Sequence, residues 1–379
     1  ERVSFHNNNV DHFAGHTFGC HENYLIRTDD RLPTDWHKLV LPFLTTRQIF
    51  AGAGRVGGHR LEHAGFRPSL SEVADHPIDF IWVSNVYNVE PDPTVQYQLS
   101  QRADHIVREN ASRVRFNRAI INPKWDSVYG YQNYQRLHLL FGEGNMSEYA
   151  TALKIGTTCL VLDLAEARAL PNWLRLQDAL HTLKSVSRDP TRKWIVTMID
   201  GSTLSAIDLQ RVYLQLAQKR FAGRDPETDW GLQEWEFVLD KLESDPEQLE
   251  DRIDWLIKLK VLRTYMEETG ATWGDDALHA IDLEYHNINP DQGLYYALQQ
   301  MGEVKRLVDD VQIENAVTTP PADTRAHARG AIIKRLAERR YNRYYIDWDI
   351  VYVDRNRQVD MRDPFGLYTR EVDRFMALL

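Results

Sequence analysis

Along the first 145 residues, short apolar runs are interrupted every few positions by Gly, Asn and Pro; from Met146 the interruptions thin out and the runs lengthen. The first pattern predicts strands and turns, with strands at residues 3–7, 22–27, 95–99, 119–122 and 136–141. Residues 65–93, punctuated by Pro68, Pro77, Pro91 and Pro93, read as a surface insertion. The second pattern predicts helices. Residues 151–166 hold no Pro, and Ser147 stands where an N-cap hydroxyl meets the first free N–H groups of a helix. Further helices are expected over 204–222, 228–243, 247–268 and 275–302, with Asp245-Pro246 as a break and a fresh start. Thr319-Pro320-Pro321 is expected to open another helix, since Pro is tolerated in a first turn. The tail is predicted to return to strand over 345–353 and to end on a helix over 368–379. Strands grouped before helices give an α+β fold, an antiparallel sheet with helices packed on it.

Composition adds limits to this picture. A length of 379 residues with 43% hydrophobic positions supports one large domain and a small one. The net charge of −10 argues against non-specific nucleic-acid binding, which needs a basic face. No run reaches the roughly 18 apolar residues of a membrane-spanning helix. Cys20 and Cys159 are the only cysteines, too few for a zinc cage, and they suggest a reducing, cytoplasmic setting. Charge is uneven, however. Between Thr324 and Tyr345 stand Arg325, Arg329, Lys334, Arg335, Arg339, Arg340 and Arg343 against Glu338 alone, a positive patch suited to an acidic partner. Residue 1 is Glu, and Val3-Ser4-Phe5 already reads as a strand, so the chain is expected to be part of a longer protein.

Six stretches have residue types that could carry chemistry. Gly52-Ala53-Gly54-Arg55-Val56-Gly57 spells a dinucleotide-type glycine pattern. That pattern has meaning only between a strand and a helix, and no such unit surrounds it, so a plain glycine turn is expected. Gly19-Cys20-His21-Glu22-Asn23-Tyr24 would place His21 and Asn23 on one side of a strand, suited to a metal or a phosphate oxygen. Leu99-Ser100-Gln101-Arg102-Ala103-Asp104-His105 contributes Arg102. Tyr134-Gln135-Arg136-Leu137-His138 sets Arg136 and His138 on one strand face, again a phosphate or metal pair. Thr324-Arg325-Ala326-His327-Ala328-Arg329-Gly330 puts Arg325 and Arg329 four apart on a helix, where two guanidiniums suit a polyphosphate and the small neighbours permit close approach. Trp348, in an alternating strand at 346–350, could stack on a base at a cleft edge. For each, a solvated face or a satisfied structural residue competes with the functional reading.

The ordered run of motifs resembles the family of Pup–protein ligases and depupylases. The matching stretches are Asn8-Asn9-Val10-Asp11 with Gly19-Cys20-His21-Glu22-Asn23-Tyr24, Thr46-Arg47-Gln48, Leu99-Ser100-Gln101-Arg102-Ala103 and Arg136-Leu137-His138. They continue through Asn145-Met146-Ser147-Glu148, Ile253-Asp254-Trp255, Thr324-Arg325-Ala326, Asp347-Trp348 and Asp363-Pro364-Phe365. The resemblance implies a glutamine synthetase-like cradle, a curved antiparallel sheet that holds ATP and Mg2+, over residues 1–335, and a small C-terminal domain over 336–379. By position it assigns Trp348, Arg325, Arg329, Arg136 and Arg102 to the nucleotide, and His21 and His138 to the metal. It further implies a small disordered Pup-like modifier and lysine-bearing target proteins as partners, and a cytoplasmic enzyme.

The implied reaction is ATP-dependent phosphorylation of the modifier's C-terminal glutamate side chain, then isopeptide bond formation with a protein lysine. Hydrolysis of the same bond, a small-molecule glutamate–amine ligase and a non-catalytic relative stand as alternatives. Cys20, Asp104-His105, Ile257-Lys258 and the Asp-Pro-Phe tail lean toward the ligase. Where the family carries an Arg-Asp-Glu-Pro-His run, this chain reads Pro123-Lys124-Trp125-Asp126-Ser127. The resemblance places the family's magnesium-binding glutamates and catalytic aspartate in about 100 residues upstream of residue 1, so the chain alone is expected to be inactive.

Overall fold

A register of alternating side chains fixes the main sheet. Glu22–Arg27 pairs antiparallel with Tyr134–Leu139, and that strand pairs antiparallel with Ala119–Lys124. The computed structural model describes residues 3–11, 15–27, 35–63, 87–111, 118–124, 134–354 and 357–378. The sheet's fourth strand, Arg108–Asn110, runs parallel to Ala119–Lys124, so the all-antiparallel expectation fails at this edge. Arg108-Glu109-Asn110 is exposed throughout and has no apolar alternation, so nothing in its sequence signals a strand.

Contacts divide the chain into two compact units, Glu1–Arg306 and Leu307–Leu379. In the first, helix Glu148–Glu166 packs on strand Glu22–Arg27 and against helices His37–Thr46, Ala206–Phe221 and Pro226–Ser244. Its start is the expected one: the Ser147 hydroxyl accepts from Ala150 N at 3.1 Å. At the centre of this layer the fully buried Phe43 ring meets Tyr213 and Trp235, each at 5.7 Å between centroids. Burial of such rings dominates core energetics.

Several expected elements change shape. Residues 3–7 form no strand; His6 makes one bridge to Asn287, and Asn7 N donates to His286 O at 2.8 Å. The helix expected over 247–268 is a short 3-10 turn, Pro246–Leu249, and a separate helix, Asp254–Thr269. That over 275–302 splits into Asp276–Tyr285 and Leu294–Gln300. Between them the Asn287 side chain accepts from Asn289 N at 3.0 Å, a turn that competes with helix ahead of Pro290. Most of the insertion expected over 65–93 lies outside the described residues.

In the second unit, helices Arg325–Glu338 and Thr369–Ala377 close on a three-stranded sheet of Tyr345–Ile346, Ile350–Asp354 and Arg357–Asp360. Ile332, Leu336, Val351, Val359, Met361 and Phe375 make its core. The helix starts at Arg325 and not at Thr319-Pro320-Pro321. Pro320 instead lies over Gly330, where a Cβ would sit 3.0 Å from the proline ring. The boundary expected at 335/336 falls inside this helix.

Candidate functional site

Cross-strand register lines up Asn23, His138 and Asn122 in one row of the main sheet. Residues directly opposite each other share a face. His21, just before the first strand, turns its ring onto His138, with Nδ1 and Nε2 3.1 Å apart and the rings edge to face at 4.8 Å. One nitrogen donates and the other accepts, so at least one ring is neutral. Burial and the charge of Arg102 hold His21 below the ordinary imidazole range. Arg136 lies on the same face, and its guanidinium donates to Asn23 Oδ1 at 2.7 Å. Asn122 is buried beside His138; its amide donates to Ala111 O, while its Oδ1 has no partner among the described residues.

The opposite face is closed by an ion pair. Arg47 grips Glu22 through two N–H groups, at 2.9 and 2.5 Å, and Tyr24 O–H donates to the same carboxylate at 2.6 Å. Burial alone would raise the Glu22 pKa, but Arg47 and these bonds more than offset it and hold the carboxyl below its usual value.

Arg102 is also buried, donating to Thr17 Oγ1 at 2.7 Å and to Leu140 O at 2.8 Å, while its Nε has no partner among the described residues. Burial, with the like charge of Arg118 beside it, brings its pKa down to about 10. The turn before it is anchored by Glu143, whose carboxylate accepts from Ser100 Oγ, from Gln101 N at 3.0 Å and from Arg102 N at 3.3 Å. Lys154 Nζ donates to Glu143 O at 2.8 Å. Asn9 completes the junction: its N–H donates to Gln101 Oε1 at 2.6 Å, and its Oδ1 accepts from Gly144 N at 2.6 Å. Sequence reasoning passed over Glu143. Its signal was the flanking glycines: a Cβ at Gly142 would overlap Cys20 O, and one at Gly144 would sit 2.7 Å from Asn7 O.

The glycine pattern at 52–57 follows helix Gln48–Ala51 and enters strand Arg55–Val56, the reverse of a dinucleotide unit, so the plain turn stands.

The remaining nucleotide candidates belong to the second unit. Arg325 is buried, and its guanidinium donates to Met361 O at 2.9 Å and to Arg362 O at 3.4 Å, which ties the helix to the sheet. Arg329 donates to Trp348 O at 2.8 Å and stands 5.2 Å over the Trp348 ring. Trp348 lies in the loop between Tyr345–Ile346 and Ile350–Asp354, not within a strand, and is 67% exposed. An acidic residue on either side and one turn of loop explain that exposure better than strand alternation does.

Magnesium prefers hard oxygen ligands in octahedral geometry. Among the described residues no group of three or more His, Cys, Asp or Glu can hold a metal ion. His21 and His138 offer imidazole nitrogen and no hard oxygen, so the described residues do not fit magnesium. A nucleotide fits better at Trp348, where an exposed ring and a guanidinium stand together.

The chain is thus a mixed α+β protein whose main sheet carries a succession of buried polar junctions. The family described as Pup-ligase protein matches residues 1–352, and the chain belongs to it. It is 32% identical over 381 residues to the Pup–protein ligase of Kribbella flavida, covering 98% of this chain and 75% of that protein. It is 35% identical over 336 residues to the Pup deamidase/depupylase of Mycolicibacterium smegmatis, covering 88% of this chain and 61% of that one. The chain thus spans about three-fifths of the curated depupylases it matches. The structure of the Pup ligase PafA in complex with ADP superposes with a TM-score of 0.82 at 32% identity, covering 100% of this chain and 77% of that one. A crystal structure of the complex between Pup and PafA gives 0.78 at 32% identity, with coverage of 98% and 71%.

Proposed function

We propose that the chain serves as a Pup–protein ligase. The observation that carries the reading is coverage: the ligase alignments take in 97–100% of the chain, second unit included, against 88% for the depupylases. In the reaction, a carboxylate oxygen of the modifier's C-terminal glutamate attacks the γ-phosphorus of ATP and ADP leaves. A lysine ε-amine then attacks the acyl carbon, loses a proton and expels phosphate, forming the isopeptide bond. The ADP-bound relative supports a nucleotide site, and we assign its base to Trp348 and its phosphates to Arg329. The Pup-bound relative supports a Pup-like modifier as partner. Arg102 and Arg136 serve by charge the sheet face that carries the His21–His138 pair.

Higher identity to the depupylases favours a second reading, hydrolysis of the same bond with water in place of lysine. Calorimetry with ADP and with three modifier forms tests both. Binding of ADP and preference for a Glu-ended modifier over a Gln-ended one or an isopeptide conjugate is expected. Preference for the conjugate would move the chain to the depupylase branch, and binding of neither ADP nor modifier would defeat both readings. Because the described residues do not fit magnesium, conjugation by the 379-residue chain alone is expected to be absent.

A further inference from the structure

The unit Glu1–Arg306 has an open apolar groove of about 600 Å³ that the reaction does not use. One wall is helix Asp254–Thr269, where Ile257, Val261 and Tyr265 recur every four residues and so form a single stripe. From Ile257 to Glu268 that stripe runs for about 16 Å at 1.5 Å per residue. Helix Leu294–Gln300 supplies Leu294 and Leu298 as the other wall, and Met301, 66% exposed, stands at the open side. The floor is firm, since Ile257, Leu294 and Leu298 join the packed cluster around Tyr285 and Tyr295. Val261, Tyr265, Leu294 and Leu298 are only half-buried. Continuous apolar surface of this kind marks an interaction site.

Shape and charge select the occupant. A slot three helical turns long between two helices suits an amphipathic helix laid along it. Its rim is acidic: Glu250 stands at one end, Glu268 at the other and Glu303 on the facing turn. Lys260 is the single cation in the lining, and it is bound to Glu303 at 2.9 Å. Arg192 and Arg263 act on Glu250 from behind, but both are bound to Glu247, at 3.0 and 3.6 Å. The chain's own exposed amphipathic helix, Asp310–Thr318, carries Asp310 and Glu314, so a second copy would bring like charge to the rim.

We propose that this groove docks an amphipathic helix with Lys or Arg at both ends, presented by the lysine-bearing protein substrate. Only the identification of the partner as substrate rests on the ligase reading; the docking chemistry stands on the groove itself.

The test is fluorescence anisotropy of the 379-residue chain with a labelled 16-residue helical peptide, leucines on one face and lysines at both ends. Controls are a peptide with glutamates at the ends and one with the same composition but scrambled leucines. Neither nucleotide nor modifier is present, so failure of the ligase reading leaves this result untouched. The basic amphipathic peptide is expected to bind at least tenfold more tightly than either control. Val261→Asp and Leu298→Asp should each weaken it at least tenfold. Glu250→Lys with Glu268→Lys, one half-buried and one exposed and neither in the apolar core, should reverse the preference between lysine and glutamate ends, which keeps the proposal testable if an aspartate variant fails to fold. Equal binding by the groove variants would mean diffuse attraction to an acidic protein and would overturn the proposal. So would equal binding of the scrambled peptide, or no peptide binding at all.

Discussion

Arg102 and Arg329 are the same residue put to opposite uses. Arg102 sits in the unit that carries the whole net charge of −10, yet it is buried, with its two terminal nitrogens donating to Thr17 and Leu140 and its Nε without a partner among the described residues. Arg329 sits in a unit of twelve basic and twelve acidic residues, where it lies over an exposed ring and donates to a loop carbonyl. A buried guanidinium whose terminal nitrogens are already donating to the protein has little left to offer a ligand. A half-buried one beside an exposed ring costs less to desolvate. Arg325 belongs with Arg102 in this respect, although it lies one helical turn from Arg329. In the small unit, Arg329 and Trp348 are the residues we propose for the nucleotide.

The largest effect expected is at the closed side of the sheet. Glu22→Gln leaves Arg47 buried without its counter-charge, and breaking such a pair costs about 3–5 kcal/mol. Urea denaturation of the chain followed by circular dichroism measures it; a change under 1 kcal/mol would mean the pair is not closed as described. The same pair sets a pH dependence. The folded Glu22 pKa lies below its unfolded value of about 4.3, so its stabilisation is complete above that pH and is lost as pH falls through the folded value. Stability should fall less steeply below about pH 4 in Glu22→Gln than in the parent chain.

A smaller loss, about 1–3 kcal/mol, is expected for Arg102→Ala, which takes a donor from the buried Leu140 carbonyl and from the half-buried Thr17 hydroxyl, whose own O–H still donates to Asn9 O. This variant sharpens the comparison through a second readout. Burial remains but one lowering charge is gone, so the His21 pKa should move up toward the ordinary imidazole value in an NMR titration. An unmoved His21 would show that the guanidinium does not reach the histidine pair.

Much of this was legible in the sequence where local rules and tertiary packing agree. Strand Glu22–Arg27 and the Ser147 cap follow from alternation and from a hydroxyl before a Pro-free run, and both form as read. The missed features depend on neighbours distant in sequence. Glu143 matters because Ser100, Gln101 and Arg102, about forty residues earlier, turn their donors onto it. Arg325 and Arg329 share a face by spacing, as expected, but only packing shows that carbonyls of residues 361 and 362 consume the first. Trp348 looked like a strand residue because Ile346 and Ile350 flank it; the chain turns between them instead.

The smallest effect on stability and the most informative on function belongs to Trp348→Ala. The bond from Arg329 goes to the Trp348 backbone carbonyl, and Trp348 N donates to Asp347 Oδ1 at 2.7 Å, so both survive truncation of the ring. What is lost is the contact of one guanidinium with an exposed ring, and surface changes of this kind stay within about 0.5 kcal/mol. Stacking of a base on an aromatic ring, by contrast, contributes about 1–3 kcal/mol. ADP affinity by calorimetry should therefore fall roughly fivefold or more while the melting temperature holds, and Trp348→Phe should keep part of the affinity. Arg329→Ala should weaken ADP with equally little effect on melting, because its guanidinium is not part of the core that Ile332 and Leu336 build. If ADP binds Trp348→Ala as tightly as the parent chain, the exposed ring serves something other than the nucleotide. The contrast between buried and half-buried arginines would then have no functional counterpart in the small unit.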